Sequence, residues 1–178
     1  MAEPTIEQRF KTQVLPHLNS AFNLARWLTR NDPDAQDVTQ EAYLRAFKFF
    51  PGFHGTNARA WLLTIVRNTF YTWHQQNRDQ ASDLEFDEDI HSLETGEAHQ
   101  DSNPEALLAR RENQQRVQRA LRSLPLEFRE VLVLRELEEL SYKEIAAIVG
   151  IPMGTVMSRL GRGRQQLAAQ LAPMKQEA

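Results

Sequence analysis

The chain reads as all-α, two small helical domains joined by a flexible acidic linker. Three observations predict this. Glycine is scarce, 7 in 178 residues, and few runs alternate at period two. Apolar residues recur at helical spacing on either side of one long polar stretch. Charge is unevenly spread: residues 1–78 carry net +3, residues 79–107 carry net −10 with no Lys or Arg, and residues 108–178 carry net +4. The overall charge of −3 therefore hides two mildly basic lobes around an acidic connector, a layout that suits nucleic acid.

Composition excludes several classes. No run approaches the roughly 18 apolar residues needed to cross a bilayer. The start, "MAEPTIEQRFKTQ", lacks the charged head and apolar core of a signal peptide, so a cytoplasmic protein without membrane insertion is expected. The chain has no cysteine, which removes disulfide scaffolds and thiolate metal sites. No nucleophile–base pair, metal-ligand spacing or phosphate loop stands out, and His17, His54 and His74 are scattered. An enzyme is not expected, nor a cofactor.

In "NDPDAQDVTQEAYLRAFKFF", Asp32 is placed to cap a helix, with Pro33 in its first turn and an end near Phe50. On a helical wheel Ala35, Val38, Ala42 and Phe49 turn inward. Asp37, Gln40, Leu44 and Phe47 turn outward, with Glu41 at the margin. Apolar residues among acids and amides on an outer face suggest a protein-binding surface.

The next segment, "FHGTNARAWLLTIVRNTFYTWHQQNR", starts a helix near Ala58, capped by Asn57 or Thr56. Leu62, Ile65, Val66, Thr69 and Trp73 form its expected buried face. Arg67, Asn68, Tyr71, His74, Gln75 and Arg78 lie outside, with Trp61 on a flank. Cations interleaved with aromatics suit single-stranded nucleic acid: arginines follow phosphates while rings stack on unpaired bases. Trp61 and Tyr71 serve equally well as core or as stacking platforms on this evidence.

The connector, "DQASDLEFDEDIHSLETGEAHQDSNPEALL", is polar and self-repelling, and reads as an extended tether. His91 and His99 sit there among carboxylates, but nothing in the spacing fixes a ligand geometry.

Beyond it, Asn103 can cap a helix with Pro104 in its first turn. Leu107, Leu108, Val117 and Leu121 form an apolar stripe, and Pro125 restarts a helix carrying Phe128, Val131, Leu132 and Leu134. Ser141 followed by Glu144 is a capping-box pattern opening a helix at Tyr142. Gly150 fits the position past its end where positive φ is needed, and Pro152 suits the first turn of the next helix. Helix, short glycine turn, helix is the spacing of a helix-turn-helix. On the second helix Met153, Val156, Leu160, Gly163 and Leu167 point toward a core. Ser158, Arg162 and Gln165 point away, flanked by Thr155 and Arg159 on one side and by Met157 and Arg164 on the other. No acid occurs between Glu144 and Glu177. An acid-free basic face of this kind can lie against duplex DNA, its side chains reaching base edges and phosphates; a solvated basic face on an ordinary helical hairpin is the bland alternative.

Three stretches, "DVTQEAYLRAF", "FHGTNARAWLLTIVRNTF" and "LPLEFREVLVLRELEELSYKEIAAIVGIPMGTVMSRLGRGRQQL", resemble the signature regions of extracytoplasmic-function (ECF) sigma factors of the sigma-70 family. The resemblance covers nearly everything but the connector. It implies sigma region 2 over 5–78, a linker over 79–103 and sigma region 4 over 104–174. It implies a bacterial initiation factor that binds core RNA polymerase, through the β′ clamp helices and the β subunit, and that binds promoter DNA. By the same resemblance Asp37, Gln40, Glu41 and Leu44 match the polymerase-docking helix. Phe53 to Asn57 match the loop that accepts a flipped −10 base, and Trp61, Arg67, Asn68, Tyr71 and Arg78 belong to the −10 strand helix. Thr155, Ser158, Arg159, Arg162 and Arg164 belong to the −35 recognition helix. Met157 stands where many members have Lys or Arg, and Gly161 where many have a larger residue. An anti-sigma factor is a further implied partner.

The tether length fits two separated elements. Its 25 residues from Asp79 to Asn103 reach at most about 80–90 Å, and elements roughly 25 base pairs apart lie about 85 Å apart. Two rivals remain at this level: a helix-turn-helix regulator acting without polymerase, and an enzyme, for which no catalytic arrangement stands out; a polymerase-binding adaptor without promoter function is a further possibility.

Overall fold

A computed structural model describes residues 2–78 and 103–172; the acidic linker with His91 and His99, and the last residues of the expected second domain, lie outside the described residues. All regular structure among the described residues is helical.

In the first lobe α1 (Ile6–Gln13) is opened by a capping box, Thr5 accepting from the Gln8 amide while the Gln8 side chain accepts from the Thr5 amide. A 3₁₀ turn at Leu15–His17 leads into α2 (Leu18–Thr29), which ends at Arg30 in the left-handed region, φ 65°. α3 spans Asp32–Phe49. Its cap is Asn31, not Asp32: Asn31 Oδ1 accepts from the Asp34 amide at 2.8 Å, and Asp32 occupies the first turn, where its charge favours the helix N-terminus. α4 (Ala58–Asn77) is capped by Asn57, which accepts from the Ala60 amide at 3.0 Å. α2, α3 and α4 pack on one another, and Phe10 of α1 and Phe50 close one end. Phe49 is exposed where the helical wheel turns it inward, because Ala46 and Phe50 hold the buried phase at that end of α3.

In the second lobe α5 (Pro104–Ser123) is capped by Asn103, accepting from Glu105 at 3.1 Å. Among the described residues only its C-terminal part is covered: Leu121 is buried, whereas Leu107, Leu108 and Val117 of the expected stripe are exposed. α6 (Leu126–Leu132) runs into a π-helical turn, Val133–Leu137, which lets Val133 and Leu134 stay buried while the chain changes pitch. α7 (Tyr142–Val149) opens with the Ser141–Glu144 capping box and closes at Gly150, φ 74°. Gly150 and Ile151 both donate to the Ala146 carbonyl, satisfying the helix end. α8 (Met153–Leu171) follows, with Pro152 one residue before its first turn and no side-chain cap. Val156, Leu160 and Gly163 are buried where α8 packs on α6 and α7, whereas Met153 is 47% exposed and does not join the core as its wheel position suggests.

The two lobes are not held apart. α7 packs against α4 and α6 against α2, and the buried apolar residues of both lobes form one continuous cluster. Arg129 of α6, 3% exposed, donates to the Trp27 carbonyl at 2.7 Å and the Leu28 carbonyl at 3.4 Å, at the end of α2. A cation there also complements the negative end of the helix dipole.

Candidate polymerase and nucleic-acid interfaces

The outer face of α3 is open. Asp37, Gln40, Glu41 and Leu44 are all exposed, Leu44 at 69%, and Glu41 accepts from Arg45 one turn on at 2.9 Å. Phe47 is half uncovered and packs edge-on against Phe10, 5.2 Å between centroids. Beside Gln40 a groove of about 320 Å³ opens between α2 and α3, lined by Leu18, Phe22 and Tyr43 among others. The Tyr43 hydroxyl is sealed without a hydrogen-bond partner among the described residues, and burial pushes its pKa up to about 12. A face of exposed leucine and phenylalanine among acids and amides can bind a helix that brings apolar side chains and cations.

The loop before α4 is supported from below. Phe53 is buried, stacked on Phe50 at 6.0 Å and tilted on Trp61 at 4.8 Å. Gly55 crosses so close that a Cβ there would come within 2.9 Å of the Phe53 ring. Phe53 thus shapes the loop rather than presenting its ring, while His54, Gly55, Thr56 and Asn57 are exposed. Trp61 is half-buried on the same cluster.

Along α4, Leu62, Val66 and Thr69 are buried as expected, joined by Leu63 and Phe70, whereas Ile65 and Trp73 are only partly covered. Asn68 and Arg78 are exposed. Arg67 lies over the Tyr71 ring at 4.3 Å, a cation–π pair. Both also meet the second lobe: Arg67 Nε donates to Glu130, and the Tyr71 hydroxyl donates to Glu130 Oε2 at 2.6 Å. Burial, then the Glu130 charge, raises the Tyr71 pKa far above the usual phenol range. Asn57 Nδ2 donates to Glu144 Oε1 at 3.1 Å. Arg59 donates to the Glu138 carboxylate at 2.5 Å and to its carbonyl at 2.6 Å, and Asn23 to the same carboxylate at 3.2 Å.

Glu130, Glu138 and Arg59 do not stand out in the sequence as site residues, yet it carries a signal for them. The run "VLVL" at 131–134 leaves no polar face, so the helix carrying it is covered on more than one side. α4 contains no acid at all, so its arginines must find carboxylates elsewhere or stay free.

On α8, Ser158 and Arg162 are exposed and Thr155 and Arg159 are half-buried. Arg159 lies 4.0 Å from Glu127. Arg164 is held by Glu136 at 2.7 Å, so it is not a free cation in this state. Met157 is also exposed. The exposed face of α8 is thus basic, acid-free and presented by the second helix of a capped helix-turn-helix.

Comparison with known proteins agrees with these two units. The family models for Sigma-70 region 2 and Sigma-70 region 4 match residues 14–80 and 114–167. The chain is 36% identical over 189 aligned positions to the ECF RNA polymerase sigma-E factor of Escherichia coli K12, covering 98% of each chain. This chain belongs to the ECF sigma factors of the sigma-70 family. It is 37% identical to the ECF sigma factor SigE of Mycolicibacterium smegmatis, over 92% of this chain, and spans 62% of that longer relative. Among solved structures it is similar to the sigma factor RpoE of Bartonella quintana in complex with the anti-sigma factor NepR, with a TM-score of 0.72 and 28% identity, covering 95% of this chain and 98% of that one. As a sigma factor it is a transcription initiation factor that directs core RNA polymerase to promoters. Among the described residues no helix is long and apolar enough to cross a membrane.

Proposed function

We propose that the chain docks on core RNA polymerase through Asp37, Gln40, Glu41 and Leu44. The −10 region is engaged by Asn57, Trp61, Arg67, Asn68, Tyr71 and Arg78, with Phe53 setting the loop. Thr155, Ser158, Arg159 and Arg162 read the −35 element, and Arg164 contacts a phosphate once released from Glu136. The domain limits are 5–78, 79–103 and 104–174. The protein works in the cytoplasm, has no catalytic activity of its own, and is restrained by an anti-sigma factor, as the Bartonella relative is bound by NepR.

The observation that carries this reading is the pairing of two unlike faces in one chain. α4 offers stacked aromatics and arginines without an acid, suited to single strands; α8 offers polar and cationic side chains on a groove-sized helix, suited to duplex. A DNA-binding regulator acting alone needs the second but not the first. The test is run-off transcription with purified core polymerase on promoters mapped after overexpression. Transcripts from defined starts only when the chain is added are expected. Duplex binding without transcription would leave a plain helix-turn-helix regulator, and co-purification with polymerase without promoter use would leave an adaptor.

A further inference from the structure

The loop assigned above to the −10 element forms one side of an open recess, and a different part of the chain forms the other. Residues 55–59 share a cavity of about 710 Å³ with Thr12 and Gln13 of α1 and with His17 of the 3₁₀ turn. That is within the size range of small-ligand sites.

A flipped base is told from its rivals by hydrogen bonds to its edge. The loop side offers few groups for this. Gly55 has no side chain, and the Phe53 ring lies 2.9 Å from where a Cβ would stand. Ala58 is buried and apolar. Asn57 is engaged at both ends of its amide, Oδ1 on the Ala60 amide and Nδ2 on Glu144. The first of these bonds caps α4 and cannot pass to a ligand without uncapping the helix. The Arg59 guanidinium is engaged by Glu138. Thr56 remains, and a hydroxyl both donates and accepts, so alone it does not tell one base from another.

The other side differs. The Thr12 hydroxyl donates to the Gln8 carbonyl at 2.7 Å, but neither the Gln13 nor the His17 side chain is hydrogen-bonded among the described residues. Gln13 is exposed at the end of α1, and His17 is half-buried. Val14 between them is fully buried, which anchors the backbone that carries both. A primary amide holds an acceptor and donors side by side, the pattern that pairs bidentately with a base edge. Burial, then the nearby Arg59 charge, holds His17 below the usual imidazole pKa. Near neutral pH its ring is therefore uncharged, with one donor and one acceptor.

We propose that Gln13 and His17 are specificity determinants for the −10 element: the loop holds the flipped base, and the end of α1 and the turn after it read that base's hydrogen-bonding edge. The inference rests on Phe53 to Asn57 being the −10 loop.

The test uses holoenzyme assembled from core polymerase and the full chain. One mapped promoter is made as a library in which each −10 and −35 position carries each of the four bases in turn, and transcripts are counted by sequencing. Gln13→Ala and His17→Ala should flatten the base preference at one and the same −10 position by at least about fivefold. The −35 preferences should stay as in the wild type. Gln13→Glu keeps the acceptor and removes the donor. At that position it should raise output from adenine and cytosine, which carry an amine, relative to guanine and thymine by a similar factor, whatever its effect on total output. A merely structural role lowers every promoter alike, so a uniform fall, or no change, overturns the proposal. Thr56→Ala and Asn68→Ala, run alongside, locate the failure. If they alter −10 preference where the Gln13 and His17 variants do not, the loop reading stands and the α1 reading falls. If none of these variants alters it, both fall. Should His17→Ala not fold, the variants at the exposed Gln13 decide alone.

Discussion

Gly163 of α8 faces Leu132 of α6 so closely that a Cβ on the glycine would come 3.0 Å from Leu132 Cδ1 and 3.2 Å from Phe128 Cβ. The helix therefore has glycine at this point for contact, not flexibility. Alanine in a helix interior is worth up to about 1 kcal/mol over glycine, but overpacking a fixed core costs roughly 1–3 kcal/mol. Leu132 is 1% exposed and the Phe128 contact is at its stiff Cβ, so neither can readily give way. Gly163→Ala should lower stability by about 1–2 kcal/mol. A methyl group added at Gly161 would meet nothing within 4 Å, so Gly161→Ala should gain up to about 1 kcal/mol. Urea denaturation of the two variants checks the opposite signs.

Arg129 is the buried fastener between lobes. Besides the Trp27 and Leu28 carbonyls it donates to the Leu124 carbonyl at 2.7 Å, and burial lowers its pKa to about 10, with Arg30 nearby adding to the effect. Arg129→Met keeps the bulk and removes the donors, leaving buried carbonyls without partners. A loss of roughly 3 kcal/mol is expected, read as a fall in melting temperature. A variant within about 0.5 kcal/mol of wild type would mean that water replaces the guanidinium there.

How much of this is legible in the sequence differs by element. The Ser141–Glu144 box, Gly150 and the Asn57 and Asn103 caps can be read because each is decided by local bonds within four residues. The cap of α3 falls one residue before the expected position because Asn31 and Asp32 are both good caps and only backbone geometry chooses between them. Phe49, Met153 and the Leu107–Leu108 pair are expected to face inward because a wheel assumes that a neighbouring element covers every apolar phase, and here none does among the described residues. The contact between lobes is the least legible feature. Each lobe reads alone as a basic unit, and the acids that join them sit beside an apolar run that hides them.

On the outer face of α3, Leu44 and Gln40 make little contact with the rest of the fold, so their role can be tested without damage to it. Gln40→Ala with Leu44→Ala should leave the stability within about 0.5 kcal/mol of the wild type. Core-polymerase binding by titration should weaken by at least about tenfold, in line with loss of an apolar anchor at an interface centre. Equal affinity in the folded variant would remove this face from the docking surface.

His74 lies on the Phe70 ring, 5.4 Å between centroids, and its pKa is lowered by burial first, then by Arg78, Arg30 and Arg129. In the unfolded chain it titrates near 6.5. Between the lowered native value and 6.5 the unfolded state binds more protons, so stability rises with pH across that window. The stabilising contribution is thus present above about pH 6.5 and is lost as the pH falls below it. His17, lowered by burial and then by Arg59, acts in the same direction. Melting curves from pH 8 to pH 5 should show a steeper decline for the wild type than for His74→Gln, and a still flatter profile for the variant lacking both histidines.

The helix-turn-helix gives the sharpest separation of roles. Ser158 and Arg162 project from the exposed face of α8, and no ion pair holds Arg162 among the described residues, whereas Arg164 is engaged by Glu136. A free guanidinium near the helix middle can bond a guanine bidentately, worth about 1–3 kcal/mol of discrimination. Arg162→Ala should therefore relax preference at one −35 position. Arg164 must first leave Glu136, so the phosphate contact proposed for it is weakened by that exchange. Arg164→Ala should lower affinity modestly for every sequence and flatten the salt dependence. Glu136→Gln should do the reverse, freeing Arg164 and tightening binding without changing preference. Met157→Lys adds a cation beside Ser158 and should also tighten binding to all sequences alike. The measurement is binding of the full chain to a library of single-base −35 duplexes at two salt concentrations. If Arg162→Ala lowers affinity equally for every duplex, Arg162 is a phosphate contact and the base-reading role passes to Ser158 or Thr155.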